Sequence, residues 1–179
     1  MLEQFRRYGV PCLVADDLAH GVTAAGTEAT AAIAARFGAD VIAPDGAVNR
    51  DALGAIVFAD PAARRELEAM IHPAVYRAIE AGMRAFDKAG DALAVVEIPL
   101  LFESGQAKAF DRVIVTACSP DTQLARLVGR GVSETRARQV LAAQKSTEEK
   151  AAEADYVIQT GGTTAETDAQ VRDLLQTLR

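Results

Sequence analysis

Residues 93–98, Leu-Ala-Val-Val-Glu-Ile, run directly into Pro99-Leu-Leu-Phe-Glu103-Ser-Gly and constrain this chain more than any other stretch. A near-continuous apolar run with two valines suits a strand buried on both faces, as in a parallel sheet covered by helices. Pro99 removes a backbone donor and ends the pairing. Glu103 then falls just beyond the strand's carboxyl end, the edge at which open α/β sheets bind ligands. The same residue reads equally as a solvated loop acid behind a core strand.

The rest of the chain alternates strands with helices. A short apolar run at 11–14 leads into Ala-Asp-Asp. Thr27 is placed to cap a helix carrying Ile33 and Phe37, which Gly38 ends. Leu53, Ile56 and Val57 mark another buried stripe. Asp60-Pro61 reads as a cap plus first helical residue, with Leu67, Met70 and Ile71 inward. Val75, Ile79, Met83 and Phe86 continue that stripe beyond His72-Pro73. A second strand is expected at 112–116, helices at Ser119-Pro120 and Ser133, and a last strand at 156–158. Val171, Leu174, Leu175 and Leu178 share one face of a closing helix. The helices between residues 27 and 90 exceed a simple crossover and predict an insertion that covers a substrate. Leu2 and Phe5 have helical spacing with nothing to cap them, so the sequence opens as if in mid-helix.

Composition narrows the function classes. The 179 residues suit one domain with a real core. A formal charge of −6 argues against a general polyanion binder, so no nucleic-acid partner is expected. Cys12 and Cys118 lie in or beside apolar runs, without a CxxC or a neighbouring His, and read as reduced core residues. No apolar run approaches the roughly 18 residues needed to span a bilayer, and the first residues lack a signal-peptide core. The expectation is a cytoplasmic protein with no membrane partner.

Several segments, in order and at close to the right spacing, together resemble dephospho-coenzyme A kinase. They are Gly9-Val-Pro-Cys-Leu-Val-Ala-Asp-Asp-Leu-Ala-His20, Phe37-Gly38, Asp45-Gly46, Arg50 with Leu53, and Phe58-Ala-Asp-Pro61. His72-Pro73, Pro99-Leu-Leu-Phe-Glu103 and Ala143-Gln144 through Ala154-Asp155-Tyr-Val-Ile158 complete the match, which covers essentially the whole chain. The resemblance implies an α/β, P-loop kinase-like parallel sheet flanked by helices. It implies one kinase-like domain over 1–179, with a core of 1–26, 91–118 and 151–179, a helical substrate-binding insertion at 27–90 and a helical lid at 119–150. The implied activity is transfer of the γ-phosphoryl of ATP, with Mg²⁺, to the ribose 3′-hydroxyl of dephospho-coenzyme A. Another small-molecule P-loop kinase is the neighbouring reading.

Residue by residue, the resemblance makes Asp16 the carboxylate that takes or orients the acceptor's proton. Asp16 also reads as a helix N-cap acid, with Asp17 the more solvent-facing of the two. Arg126 and Arg130 lie four apart on one face of a helix whose buried stripe is Leu124, Leu127 and Val128. The resemblance makes that helix a lid whose arginines reach the ATP phosphates, with Gln144 on the nucleotide side. Locally, a plain solvated face looks the same. Arg50, His72, Leu101 and Glu103 are implied on the substrate side. A guanidinium at 50 suits a phosphate, while His72 beside a proline equally suits a turn or cap. No metal ligand is assigned.

The departures are as specific. The 179 residues contain no Gly-x-x-x-x-Gly-Lys-Ser/Thr, whose amides and lysine cradle phosphates and whose hydroxyl holds Mg²⁺. Residues 1–10 match the helix that follows that loop, so the central first strand, the loop and one helical turn, about 20 residues, are expected to be missing. Val14 replaces the first acid of Asp-Ala-Asp, Gln159-Thr160 stands where Asp-Asn is usual, and the turn Arg130-Gly-Val-Ser133 is one residue short. Either this is a shortened reading of an active kinase, or it is a non-catalytic relative that binds a nucleotide or coenzyme, or nothing. The first is favoured. Losing a central strand leaves backbone groups unmet at about 1–3 kcal/mol each, against a whole-domain stability of roughly 5–15 kcal/mol.

Overall fold

Val10 is buried, and the chain beyond it enters β1 (Cys12–Val14), which runs straight into α2 (Ala15–Val22). The computed structural model describes residues 1–178, which form two compact units, Gly9–Ile98 and Glu3–Tyr8 with the chain from Pro99 onward. In the first unit β1 pairs in parallel with β2 (Val95–Glu97), Cys12 opposite Val95 and Val14 opposite Glu97. Everything between them is crossover. It comprises α2, α3 (Glu28–Phe37), a 3₁₀ turn at Ala39–Val41, α4 (Arg50–Ala59) and the 29-residue α5 (Pro61–Ala89).

Local chemistry sets the helix starts. The Thr27 hydroxyl accepts the Thr30 N–H, Asn49 accepts that of Ala52, and Asp60 accepts that of Ala62 ahead of Pro61. Ile33, Val41 and Leu53 are the buried centre of this unit, with Phe37, Leu67, Met70 and Ile71 packed against them. Ile56 does not join the stripe and is 38 % exposed. Three positions beyond Leu53, it has turned off the buried face that Leu53 and Val57 share. Pro73 sits inside α5, not at a break, so His72 is neither a turn nor a cap residue. Farther along, a Cβ at Gly82 would come within 2.8 Å of the Leu13 side chain, so glycine there lets α5 approach β1 closely.

The second unit opens with α1 (Leu2–Arg7), which has no side-chain cap and buries Phe5. Its sheet is β3 (Ile114–Ala117) parallel to β4 (Tyr156–Gln159), with α9 (Thr164–Leu178) against β4. Between the strands lie α6 (Pro120–Gly129), α7 (Glu134–Ala142) and α8 (Thr147–Glu153), capped by Ser119, Ser133 and Ser146. The α6–α7 turn is a Schellman closure, with Gly131 at φ +88° donating to Val128 O and Val132 donating to Leu127 O.

Two expectations are corrected. Val95 and Val96 are half-buried and Glu97 is exposed, so β2 is not covered on both faces. Val128 is 43 % exposed, outside the stripe that Leu124 and Leu127 continue. Among the described residues β2 pairs in parallel with β1 and β3 with β4, two parallel pairs flanked by helices, as the sequence implies for a sheet without its central strand. Cys12 and Cys118, read from the sequence as core residues, are only half-buried.

Candidate active site

Asp16 lies in the first turn of α2, two residues past the end of β1, and is exposed. It does not cap the helix: the N-cap is Val14, in extended conformation, with no side-chain bond. The β1–α2 junction thus has no spacer. The buried Ala15 anchors it and Asp16 faces solvent at the strand's carboxyl edge. Asp17 is exposed beside it.

The rest of α2 organises a polar face around that carboxylate. Asp16, His20 and Thr23 recur at i, i+4 and i+7, one above another on one side of the helix. His20 Nδ1 is 2.7 Å from the Asp16 backbone oxygen, which fixes the imidazole over the first turn. Thr23 is buried and donates to Ala19 O at 2.7 Å, and its hydroxyl accepts from Arg50 Nη2 at 3.1 Å. That last contact brings a cation from the start of α4 to the end of α2. In the sequence His20 has a place in the segment from Gly9 to His20 but no role, and Thr23 is not singled out, although their helical spacing from Asp16 was there to read. His72 is exposed on α5 with its ring edge-on to Tyr76, centroids 6.5 Å apart.

In the other unit Glu103 and Gln144 meet through a residue that the sequence did not single out. Lys150 Nζ lies 2.9 Å from Glu103 Oε1 and 3.3 Å from Gln144 Oε1. Glu103 also accepts the Lys145 N–H at 3.0 Å. Although residue 103 as a whole is exposed, its side chain is only 21 % accessible, and that of Lys150 only 15 %. Burial pushes the Glu103 carboxyl up. The Lys150 ammonium, with the backbone N–H groups of Glu103 and Lys145, outweighs that and holds it below the usual carboxylate range. Leu101 is half-buried in the same loop, where its carbonyl accepts the Ser104 hydroxyl at 2.9 Å.

A pH dependence follows with a definite sign. A carboxyl held low in the folded state adds stability above its unfolded value, about pH 4.3, and loses it as pH falls through the lower folded value. The urea midpoint of the unaltered chain should therefore drop more steeply below about pH 4.3 than that of Glu103→Gln. Glu149 and Glu166 are also held low, by bonds to Ser146 and Thr163, so the informative quantity is the difference between the two proteins. Parallel curves would show that the Glu103 pair contributes nothing.

Arg126, on α6, does not point into open solvent. Its guanidinium bonds the Thr160 backbone oxygen, reaches the Thr160 hydroxyl at 3.2 Å and lies 3.7 Å from Cys118 Sγ. Thr160 is itself fixed by its N–H to Ala117 O at 2.7 Å. Gln159 is held on both backbone groups by the Gln170 side chain. Arg130 is the exposed C-cap of α6. The helix brings the two arginines to one side, but they differ in kind, one bonded to the end of β4 and the other at a helix terminus. Among the described residues no cluster of three His, Cys, Asp or Glu side chains is placed to hold a metal ion.

Known proteins give this arrangement its context. The sequence model of the dephospho-CoA kinase family matches residues 1–166. A dephospho-CoA kinase of Anaeromyxobacter dehalogenans is 44 % identical over 177 residues, 97 % of this chain and 83 % of that protein. The chain belongs to the dephospho-CoA kinase family. A family member from Geobacter metallireducens is likewise 44 % identical, over 92 % of this chain and 83 % of its own length. Among solved structures, the dephospho-CoA kinase from Campylobacter jejuni aligns with a TM-score of 0.74 at 28 % identity, over 99 % of this chain and 89 % of that one. TT1252 from Thermus thermophilus aligns at 0.82 and 27 % identity, over 99 % and 90 %. The fold is therefore that of the dephospho-CoA kinases, parallel strands flanked by helices. No helix among the described residues of this family member is long and apolar enough to cross a membrane.

Proposed function

We propose that this chain transfers the γ-phosphoryl of ATP to the ribose 3′-hydroxyl of dephospho-coenzyme A, completing coenzyme A. The observation that carries this reading is the exposed Asp16 carboxylate at the end of β1, on a helix face shared with His20 and with the Thr23 that holds Arg50. The acceptor oxygen attacks the γ-phosphorus, the bond to the β,γ-bridging oxygen breaks, and ADP leaves with the electron pair. Asp16 receives the proton of the attacking hydroxyl. Arg50 and His72 are assigned to the coenzyme, with the 99–105 loop carrying Leu101 and Glu103. Arg126, Arg130 and Gln144 are assigned to the nucleotide side. The chain is read as one kinase-like domain, with 27–90 the substrate insertion and 119–150 the lid.

Mg²⁺ enters as the companion of ATP. Such an ion would be held chiefly by phosphates and water with one or two carboxylates, and the exposed Asp16 is one donor of that kind. When bound, it neutralises charge on the transferring phosphoryl group. Water-soluble, highly charged substrates fit a cytoplasmic location.

The test is product analysis by mass spectrometry with ATP and dephospho-coenzyme A. It is run on residues 1–179 and on a fusion that adds a strand and a Gly-x-x-x-x-Gly-Lys-Thr loop before residue 1. Coenzyme A phosphorylated at the 3′-oxygen should form readily with the fusion. Residues 1–179 alone should be well slower, because no phosphate-cradling loop lies within them. Preference of the fusion for pantetheine, adenosine or a nucleoside monophosphate as acceptor would overturn the reading.

A further inference from the structure

We propose that Lys150 is a positioning residue for the coenzyme substrate: by tying Glu103 to Gln144 it holds the 99–105 loop in the one conformation that meets that substrate. This rests on the dephospho-CoA kinase reading above. Ser146 and Glu149 form a reciprocal capping box, Ser146 accepting the Glu149 N–H and Glu149 accepting the Ser146 N–H. Lys150 follows at once, so its stem leaves a turn that is already fixed. Its side chain is 15 % accessible and its ammonium spans Glu103 and Gln144, while Lys145, at the other end of that turn, donates its N–H to the same carboxylate from 42 positions away. Lys145 also places its own ammonium 5.9 Å from the Phe102 ring and 2.7 Å from Glu153.

Covering an ammonium and a carboxylate to this degree is a poor way to gain stability, because desolvation offsets most of the attraction. It does fix geometry. The loop itself is a set of tight turns, with Ser104, Gly105 and Gln106 N–H donating to Leu100, Phe102 and Leu101 oxygens at 3.0, 3.1 and 3.3 Å. None of those bonds reaches beyond residues 100–106. The Glu103 carboxylate does, and Lys150 is the charge that holds it there.

The experiment compares Lys150→Met, Lys150→Arg, Glu103→Gln and the Lys150→Met/Glu103→Gln pair, all in residues 1–179 and all checked for native far-UV circular dichroism. Amide hydrogen exchange at residues 104–106 should accelerate in Lys150→Met and Glu103→Gln, and return towards the original in Lys150→Arg. Dephospho-coenzyme A affinity by calorimetry should fall about 10–100-fold in the same variants and recover with arginine. The double variant should be no worse than Lys150→Met, since both break one contact. Unchanged exchange, losses that add in the double variant, or accelerated exchange with unaltered affinity would each overturn the proposal. If the unaltered chain binds no dephospho-coenzyme A, the substrate reading falls, and exchange at 104–106 alone still decides whether Lys150 holds the loop.

Discussion

Replacing Asp16 with asparagine should lower phosphoryl transfer by about 10²–10⁴-fold while affinity for ATP and dephospho-coenzyme A stays near its starting value. The measurement belongs on the loop-bearing fusion, where turnover is expected to be readily followed. Asparagine keeps the size of the side chain and leaves the Asp16 backbone oxygen in place for His20, so the imidazole is not released. No cap is lost either, because the N-cap is Val14. What remains of a structural effect is one negative charge at a helix N-terminus, about 0.3–1 kcal/mol in stability. That is too small to mimic a catalytic loss of the expected size. Asp17→Asn is the control, since Asp17 is exposed in the same first turn and carries the same dipole interaction. Equal effects at the two positions would remove Asp16 from the chemistry.

Truncating Ile33 should be the most damaging change to the first unit. Ile33 is fully buried, at 0 % exposure, between Val41 and Leu53 and against side chains of α5. Ile33→Ala removes several methyl and methylene contacts and leaves a cavity, at a cost of about 2–5 kcal/mol. Ile33→Val, which deletes a single methylene, should cost about 0.5–1.5 kcal/mol. Urea unfolding followed by circular dichroism reads both as shifts of midpoint. An alanine variant no weaker than the valine variant would mean that the helices around Ile33 close up over the gap.

What was legible in the sequence was what neighbouring residues decide. Thr27, Asp60-Pro61, Ser119 and Ser133 announce helix starts because capping is a contact over two or three positions, and each caps as expected. The α8 start went unread although Ser146 and Glu149 carry the same signature at the same spacing. Stripe membership was less secure: Leu53 and Leu127 face inward, but Ile56 and Val128 do not, because an apolar residue off the main face has no say in where the partner helix lies. The strand-end position of Asp16 was readable from the change of pattern at Val14. The engagement of Glu103 was not, since its partner lies beyond a turn more than forty positions away. Nor was the Arg126 bond to Thr160, which joins residues 34 apart.

The proline in α5 has a mechanical consequence. Proline at 73 offers no N–H to the carbonyl of residue 69 and crowds it, so one rung of the helix ladder is absent at that point. The residues before it, Leu67, Met70 and Ile71, belong to the cluster around Ile33; those after it include Gly82, against the Leu13 side chain of β1. The missing rung therefore divides α5 into an arm seated in the helical insertion and an arm seated on the strand that delivers Asp16. A rod of 29 residues with one soft joint bends there before it bends elsewhere, and His72 is the residue standing on that joint.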